Sequence, residues 1–178
     1  MSSQYPRWKY YPSWRIAPDW VSGVVEVVAN ARRSIDSSAL AGDSAPQSNT
    51  VLQHLGVGLV ECGFTVETPE SKVDRPVLFG ENGATAKRFQ LDGWHDADGV
   101  ALEVEAGKAW EGKAALLDLI KMSLILDCRF GAIIVPQRYE RGKRYADPYN
   151  NVKDLFDAIF ANPERLRIAL EGVLLVGY

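Results

Sequence analysis

The chain has 178 residues and is short of several things that would have fixed its class at once. It holds two cysteines, Cys62 and Cys128, and two histidines, His54 and His95. Two thiols make neither a disulfide framework nor a zinc cluster, and with no motif histidine nearby both read as small core residues. No apolar run reaches the ~18 residues that a membrane span needs. The opening MSSQYPRWKYYPSWR has no apolar stretch of signal-peptide type, so the expectation is a soluble, cytoplasmic protein with no membrane contact. Positive charge is not in excess: 20 Lys and Arg stand against 23 Asp and Glu, the net charge is -3 and the pI about 5.4. That argues against nucleic-acid binding through bulk electrostatics. No serine sits in a nucleophile-elbow sequence. Gly80 to Gly83 lacks the lysine and the strand-to-helix context of a phosphate loop.

What is present describes a globular protein. Hydrophobic residues make up 47% of the chain and the mean hydropathy is -0.14, enough apolar surface for one domain over residues 1–178. Residues 1–18 form an arm without acids, with Arg7, Lys9 and Arg15 among five aromatics. Apolar spacing predicts helices over 20–35 and 49–61, the second capped by Ser48 and closed by Gly63. A strand over 64–67 and a loop over 68–86 follow. Strands are predicted over 87–95 and 100–108, then a helix over 109–127 whose apolar surface is broad, as suits an element covered on more than one side. The continuous apolar run Phe130–Val135 reads as a fully buried strand. Helices over 149–160 and 163–171 and a strand over 173–178 complete an α/β pattern.

The informative segment is KRFQLDGWHDADGVALEVEAGK, residues 87–108. Side chains alternate along a strand, so Glu103 and Glu105 share one face while Val100, Leu102, Val104 and Ala106 share the other. A two-residue turn at Asp98-Gly99 sets Asp92 opposite Glu105. A turn at Ala97-Asp98, or a loop over the whole of 96–99, sets it opposite Glu103. Either way Asp92, Glu103 and Glu105 lie on one face; a three-residue loop would split them and misplace Phe89 and Leu91. Like charges across a sheet repel. Such a face is either open to water or built around a divalent cation, and oxygen-only ligands suit Mg²⁺ or Mn²⁺.

An acid on the second strand, a short hairpin, an acid-x-acid on the third, then a helix and a buried strand: this order over residues 48–136 resembles the PD-(D/E)XK nuclease superfamily. It is most similar to the restriction endonucleases of BamHI type, whose last motif position is Glu instead of Lys. SNTVLQHLGVGLVECGFTVE, PVLFGENG, LEVEAGKA and GVLLVGY also resemble bacterial proteins placed in that superfamily. The resemblance implies a restriction-endonuclease-like core, with a central mixed sheet of about four to five strands flanked by helices. It implies Asp92 and Glu103 as metal ligands with the backbone carbonyl of Val104, and Glu105 at the lysine position as base or ligand of a second ion. Leu91 stands where the motif proline is expected. Lys108 and Lys113 are the candidates for the missing positive charge, and Glu61 for a glutamate of the first helix.

The function implied is a Mg²⁺- or Mn²⁺-dependent endonuclease cutting DNA, of restriction type, with a homodimer favoured by the two-fold symmetry of a duplex. The arm and the cluster Arg138, Arg141, Lys143 and Arg144 would contact its backbone. A catalytically inactive nucleic-acid-binding or assembly module of the same fold is the alternative, and RNA or branched DNA are other substrates. His95 reads as a surface or packing residue, and His54 has no partner at ligand spacing. Trp94 either stacks on a base or covers the sheet.

Overall fold

The structure is a computed structural model describing residues 5–40, 46–106, 113–141 and 144–178. Its first half comprises β1 (Arg7–Tyr11), α1 (Asp19–Asn30), α2 (Arg32–Ile35), α3 (Ser48–Glu61), β2 (Phe64–Val66), β3 (Val73–Phe79) and β4 (Thr85–Leu91). There follow β5 (Gly93–His95), β6 (Val100–Val104), α4 (Lys113–Leu124), β7 (Phe130–Val135), β8 (Tyr139–Arg141), β9 (Arg144–Ala146), α5 (Pro148–Ala161) and β10 (Gly172–Gly177). Six strands form one mixed sheet in the order β1-β10-β7-β6-β5-β2, and β3–β4 and β8–β9 are separate hairpins. Among the described residues no helix is long and apolar enough to cross a membrane.

The centre of the sheet follows from composition. FGAIIV in β7 and GVLLVG in β10 are buried at every position, as parallel strands covered on both faces must be. β7 pairs in parallel with β6 on one side and β10 on the other. A parallel pair cannot be closed by a tight turn, so each connection carries a helix, α4 between β6 and β7 and α5 between β7 and β10. These two helices cover one face, where Leu119, Met122, Val152 and Phe156 pack on Ala101, Ile133 and Leu175. The helices α1 to α3 cover the other, with Val24, Val28, Leu55 and Leu59 against Val100, Leu102, Val104 and Ile134.

Several sequence expectations are corrected. The arm is a strand: β1 pairs antiparallel with β10 and closes one edge of the sheet. Tyr11 is 1% exposed, stacked 5.1 Å from Phe160 and edge-on to Phe156, and its hydroxyl donates to Asp157 Oδ1 at 2.8 Å. Lys9 reaches the same carboxylate at 2.5 Å, and Arg7 donates to Asn150 Oδ1 at 2.6 Å. Arg7, Lys9 and Tyr11 are thus committed to α5, while Trp8, Trp14 and Arg15 of the same arm stay exposed. The helix predicted over 20–35 breaks at Ala31 into α1 and α2. Gln47, not Ser48, is the cap residue of α3, whereas Gly63 has the left-handed φ of +92° expected after a helix end.

The loop predicted over 68–86 is mostly the β3–β4 hairpin. Pro76 is tolerated because the register of this small, open ribbon shifts just after it. The strand predicted over 87–95 is two strands, since the chain leaves the β3–β4 ribbon at Leu91 and enters the main sheet at Gly93. The helix predicted over 109–127 is described as Lys113–Leu124, and 107–112 lie outside the described residues. Residues 163–171 make a turn, with Arg165 N–H on Asn162 O at 3.0 Å, and then extend to enter β10.

Tyr11→Ala should cost about 3–5 kcal/mol, the usual penalty for emptying a buried aromatic site. On a domain of this size that lowers the melting temperature by roughly 10 °C in a thermal melt. A loose arm would give a change within about 0.5 kcal/mol.

Candidate active site

β5 meets β6 with Gly93 opposite Leu102, Trp94 opposite Ala101 and His95 opposite Val100. The connection is therefore the four residues 96–99, and one step further along the ladder Asp92 faces Glu103, one of the two registers left open by the sequence. Two hydrogen bonds fix Asp92 there. Its backbone carbonyl accepts from Glu67 N–H at 2.8 Å, and its carboxylate Oδ2 accepts from Val104 N–H at 2.7 Å. The alternation holds: Val100, Leu102 and Val104 enter the core under α1 and α3, and Glu103 points to the opposite face.

That face is not open to water. Glu103 is 7% exposed, because the crossover helix α4 lies over it. The inner side of α4 answers the acids with Asp118 and Lys121, set among the buried Ala115, Leu119 and Met122. Lys121 Nζ stands 2.6 Å from Glu103 Oε1 and 3.3 Å from Asp118 Oδ1. Glu105, one position beyond β6, lies close enough to Asp118 for the two carboxyls to repel each other when both are ionised. Its carbonyl accepts from the Tyr178 hydroxyl at 3.1 Å. At the rim Glu67 is held by Lys72 and by Gln90 Nε2 at 2.7 Å.

One ammonium serves four carboxyls, and the balance shows in their acidities. Burial, with Asp92 beside it, pushes the Glu103 carboxyl up to about 8 against the pull of Lys121. Burial and the neighbouring Asp118 push Glu105 up to about 7. Asp92 is raised by burial despite the Val104 N–H, and Lys121 is raised because Glu103 and Asp118 outweigh its own desolvation. Glu67 goes the other way: partial burial opposes it, but Lys72 and Gln90 hold it below the ordinary range.

Two buried carboxylate oxygens are left short of partners. Asp118 Oδ2 has no hydrogen bond, and Glu103 Oε1 meets Lys121 as an ion pair without well-angled hydrogen bonding. Surplus negative charge and an orphaned carboxylate oxygen are what a hard cation relieves, so the donor set suits Mg²⁺ or Mn²⁺ in kind. As they stand, however, no three Asp, Glu, His or Cys side chains among the described residues are gathered to hold a metal ion. Lys121 occupies the middle of the cluster instead.

The remaining candidates fall elsewhere. Lys108 lies outside the described residues, and Lys113 is exposed at the start of α4, on the side away from the sheet. Glu61 is exposed on α3, across the sheet from the acids. Trp94 is 3% exposed, with Arg75 stacked 4.1 Å above it, so it covers the sheet and offers no face to a base. His95 packs on Phe64 and accepts from Asp98 N–H, a turn and packing residue. Arg138 pairs with Glu140 at 3.1 Å and lies over Tyr145. Arg141 and Arg144 are backbone register partners in the β8–β9 hairpin, and Lys143 lies outside the described residues. Sequence reasoning missed Asp118 and Lys121. Their signal was two charges on the otherwise apolar inner stripe of a helix.

Comparison of the chain with family models, with curated proteins and with solved structures finds no match in any of the three.

The raised carboxyls set a stability profile. Glu103, titrating near 4.5 when unfolded and about 8 when folded, binds more protons in the native state between those limits. Stability from this source is complete below the lower value and is lost as pH rises through the upper one. The metal-free protein should therefore melt at lower temperature at pH 8 than at pH 5. Glu103→Gln, neutral throughout, should flatten that fall and melt higher than the parent at pH 8, by about 3 °C or more. Parallel profiles would show that the cluster carries no buried proton.

Proposed function

We propose that the chain is a divalent-metal-dependent endonuclease that hydrolyses DNA phosphodiester bonds, of restriction type, on a restriction-endonuclease-like core. The observation that carries the reading is the covered end of β6, where Glu103 pairs with Lys121 and the carboxyls of Asp92 and Glu105 lie within electrostatic reach of the same ammonium. The order α3, three antiparallel strands β2, β5 and β6, α4 and the parallel β7 agrees with the core that the sequence resemblance implies.

In this reading Asp92, Glu103 and the Val104 carbonyl would hold Mg²⁺ or Mn²⁺. A divalent ion bound there supplies Lewis-acid polarisation of the phosphoryl oxygen and a more acidic water. Asp92 is pre-set for its task by the Val104 N–H, which fixes the carboxylate before anything binds. Lys121 takes the part first sought in Lys108 or Lys113: its ammonium, kept charged by Glu103 and Asp118, supports negative charge developing on the phosphate oxygens. Glu105, ionised above about pH 7, is the base nearest the end of β6. The parallel strands β6, β7 and β10 end on the same side of the sheet, and the β8–β9 hairpin follows β7 on that side. This hairpin, with Arg138 before it, Arg141 and Arg144 in its strands and Lys143 between them in the sequence, is the proposed DNA contact.

A second reading, a non-catalytic nucleic-acid-binding or assembly module, is favoured by one observation: Lys121 already neutralises Glu103 and Asp118, as a structural ion pair would.

Plasmid DNA incubated with the protein and Mg²⁺ or Mn²⁺ should be nicked or linearised, and chelator should stop it. Asp92→Asn and Glu103→Gln should reduce cleavage to background while the fold survives by circular dichroism. Lys121→Met should slow it by about 10²–10³-fold, the usual loss on removing one transition-state donor. An intact plasmid in every metal, or full activity in Asp92→Asn, sinks the enzyme reading and leaves the module.

A further inference from the structure

Two buried hydroxyls lie between the end of β6 and the start of the β8–β9 hairpin. Ser37, just past α2, and Tyr178, just past β10, are each 1% exposed. Polar groups so deeply buried are kept by the bonds they make. Ser37 Oγ donates to the Tyr178 backbone oxygen and accepts from the N–H groups of Gln137 at 2.9 Å and Arg138 at 3.2 Å. The same Tyr178 oxygen accepts from Gln137 N–H at 2.8 Å, and Gln137 Nε2 donates to the Gly177 carbonyl at 2.9 Å. Gln137 and Arg138 are the last residues before the hairpin. Ser37 is itself set by Asp36, whose carboxylate accepts from Ser38 N–H at 3.0 Å and from Arg32 Nε at 3.1 Å.

Tyr178 also reaches the other way. Its N–H donates to Val135 O at 2.9 Å and its hydroxyl to Glu105 O at 3.1 Å, while Glu105 N–H donates to Ile134 O at 2.8 Å. The Glu105 backbone is thus pinned at both its N–H and its carbonyl. Burial, with Glu105 beside it, holds the Tyr178 hydroxyl above its ordinary range, so it stays a donor.

We infer that Ser37 and Tyr178 are positioning residues that fix the β8–β9 hairpin at a set distance from the Glu105 end of β6. The inference rests on the endonuclease reading: a duplex held by the hairpin must present its phosphate to the acids. A misplacement of about 1 Å can cost about 10²-fold in rate. The two hydroxyls divide the task. That of Ser37 holds the entry to the hairpin, and that of Tyr178 holds the carbonyl of Glu105.

Cleavage kinetics on a labelled duplex, with the Kd measured by fluorescence anisotropy in chelator, test the division. Tyr178→Phe keeps the ring and should lower kcat about tenfold while changing Kd less than about threefold. Ser37→Ala should weaken binding about tenfold and lower kcat less than about threefold. Equal losses of rate and affinity in each variant, or no loss in either, overturn the inference, since a merely structural bond would not divide them. Should Ser37→Ala misfold, Tyr178→Phe decides alone: kcat lost without affinity upholds the inference, and any other result overturns it. Residue-resolved amide hydrogen exchange separates the inference from the endonuclease reading. Ser37→Ala should speed exchange at Gln137 and Arg138 and spare Glu105, and Tyr178→Phe should do the reverse. In a parent that cuts nothing, that pattern sinks the enzyme and keeps the positioning role; faster exchange at all three sites in both variants overturns the role as well.

Discussion

The parallel pairing of β6 with β7 is the constraint from which the rest of the molecule follows. Antiparallel neighbours could have been joined by a tight turn, leaving the acidic face of β6 in water. Parallel neighbours need a crossover, and the crossover α4 lies over that face. Glu103 is thereby buried among Ile133, Ala101 and the inner side of a helix. A buried carboxylate needs a proton, a partner or a cation. The chain supplies a partner from the covering helix itself. Lys121 is thus both a consequence of the topology and the condition for it, and removing it would leave an uncompensated buried acid.

The other strands serve this arrangement at a distance. Val100, Leu102 and Val104 anchor β6 from behind, against α1 and α3, which fixes the direction in which Glu103 projects. β5 is only three residues long, yet it sets Asp92 in register because Asp92 is tied at both ends, by Glu67 N–H to its carbonyl and by Val104 N–H to its carboxylate. On the far edge β1 closes the sheet over β10. Its Tyr11 binds the strand to α5 through two aromatic rings and the shared Asp157, whose carboxyl is held down at about 2 by Lys9, Tyr11 and Lys153 against its partial burial.

α4 therefore has two unlike sides. The inner one holds Asp118 and Lys121 over the acids, and on the outer one Leu117, Ile120 and Leu124 are exposed.

Much of this was written in local pattern. The alternation of Val100 to Glu105 fixed which side chains share a face, and the turn-prone 96–99 limited Asp92 to two partners. The unbroken apolar run of β7 marked the sheet centre. These are properties of a few consecutive residues, which strand geometry alone reads out. What lies over a face is different, because it depends on residues far apart in the chain. Local pattern could not reveal that α4 buries the carboxylates, that Lys121 stands among them in place of Lys108 or Lys113, or that the aromatic segment 7–11 is an edge strand. Burial and charge pairing are set by which elements meet, and only the tertiary structure decides that.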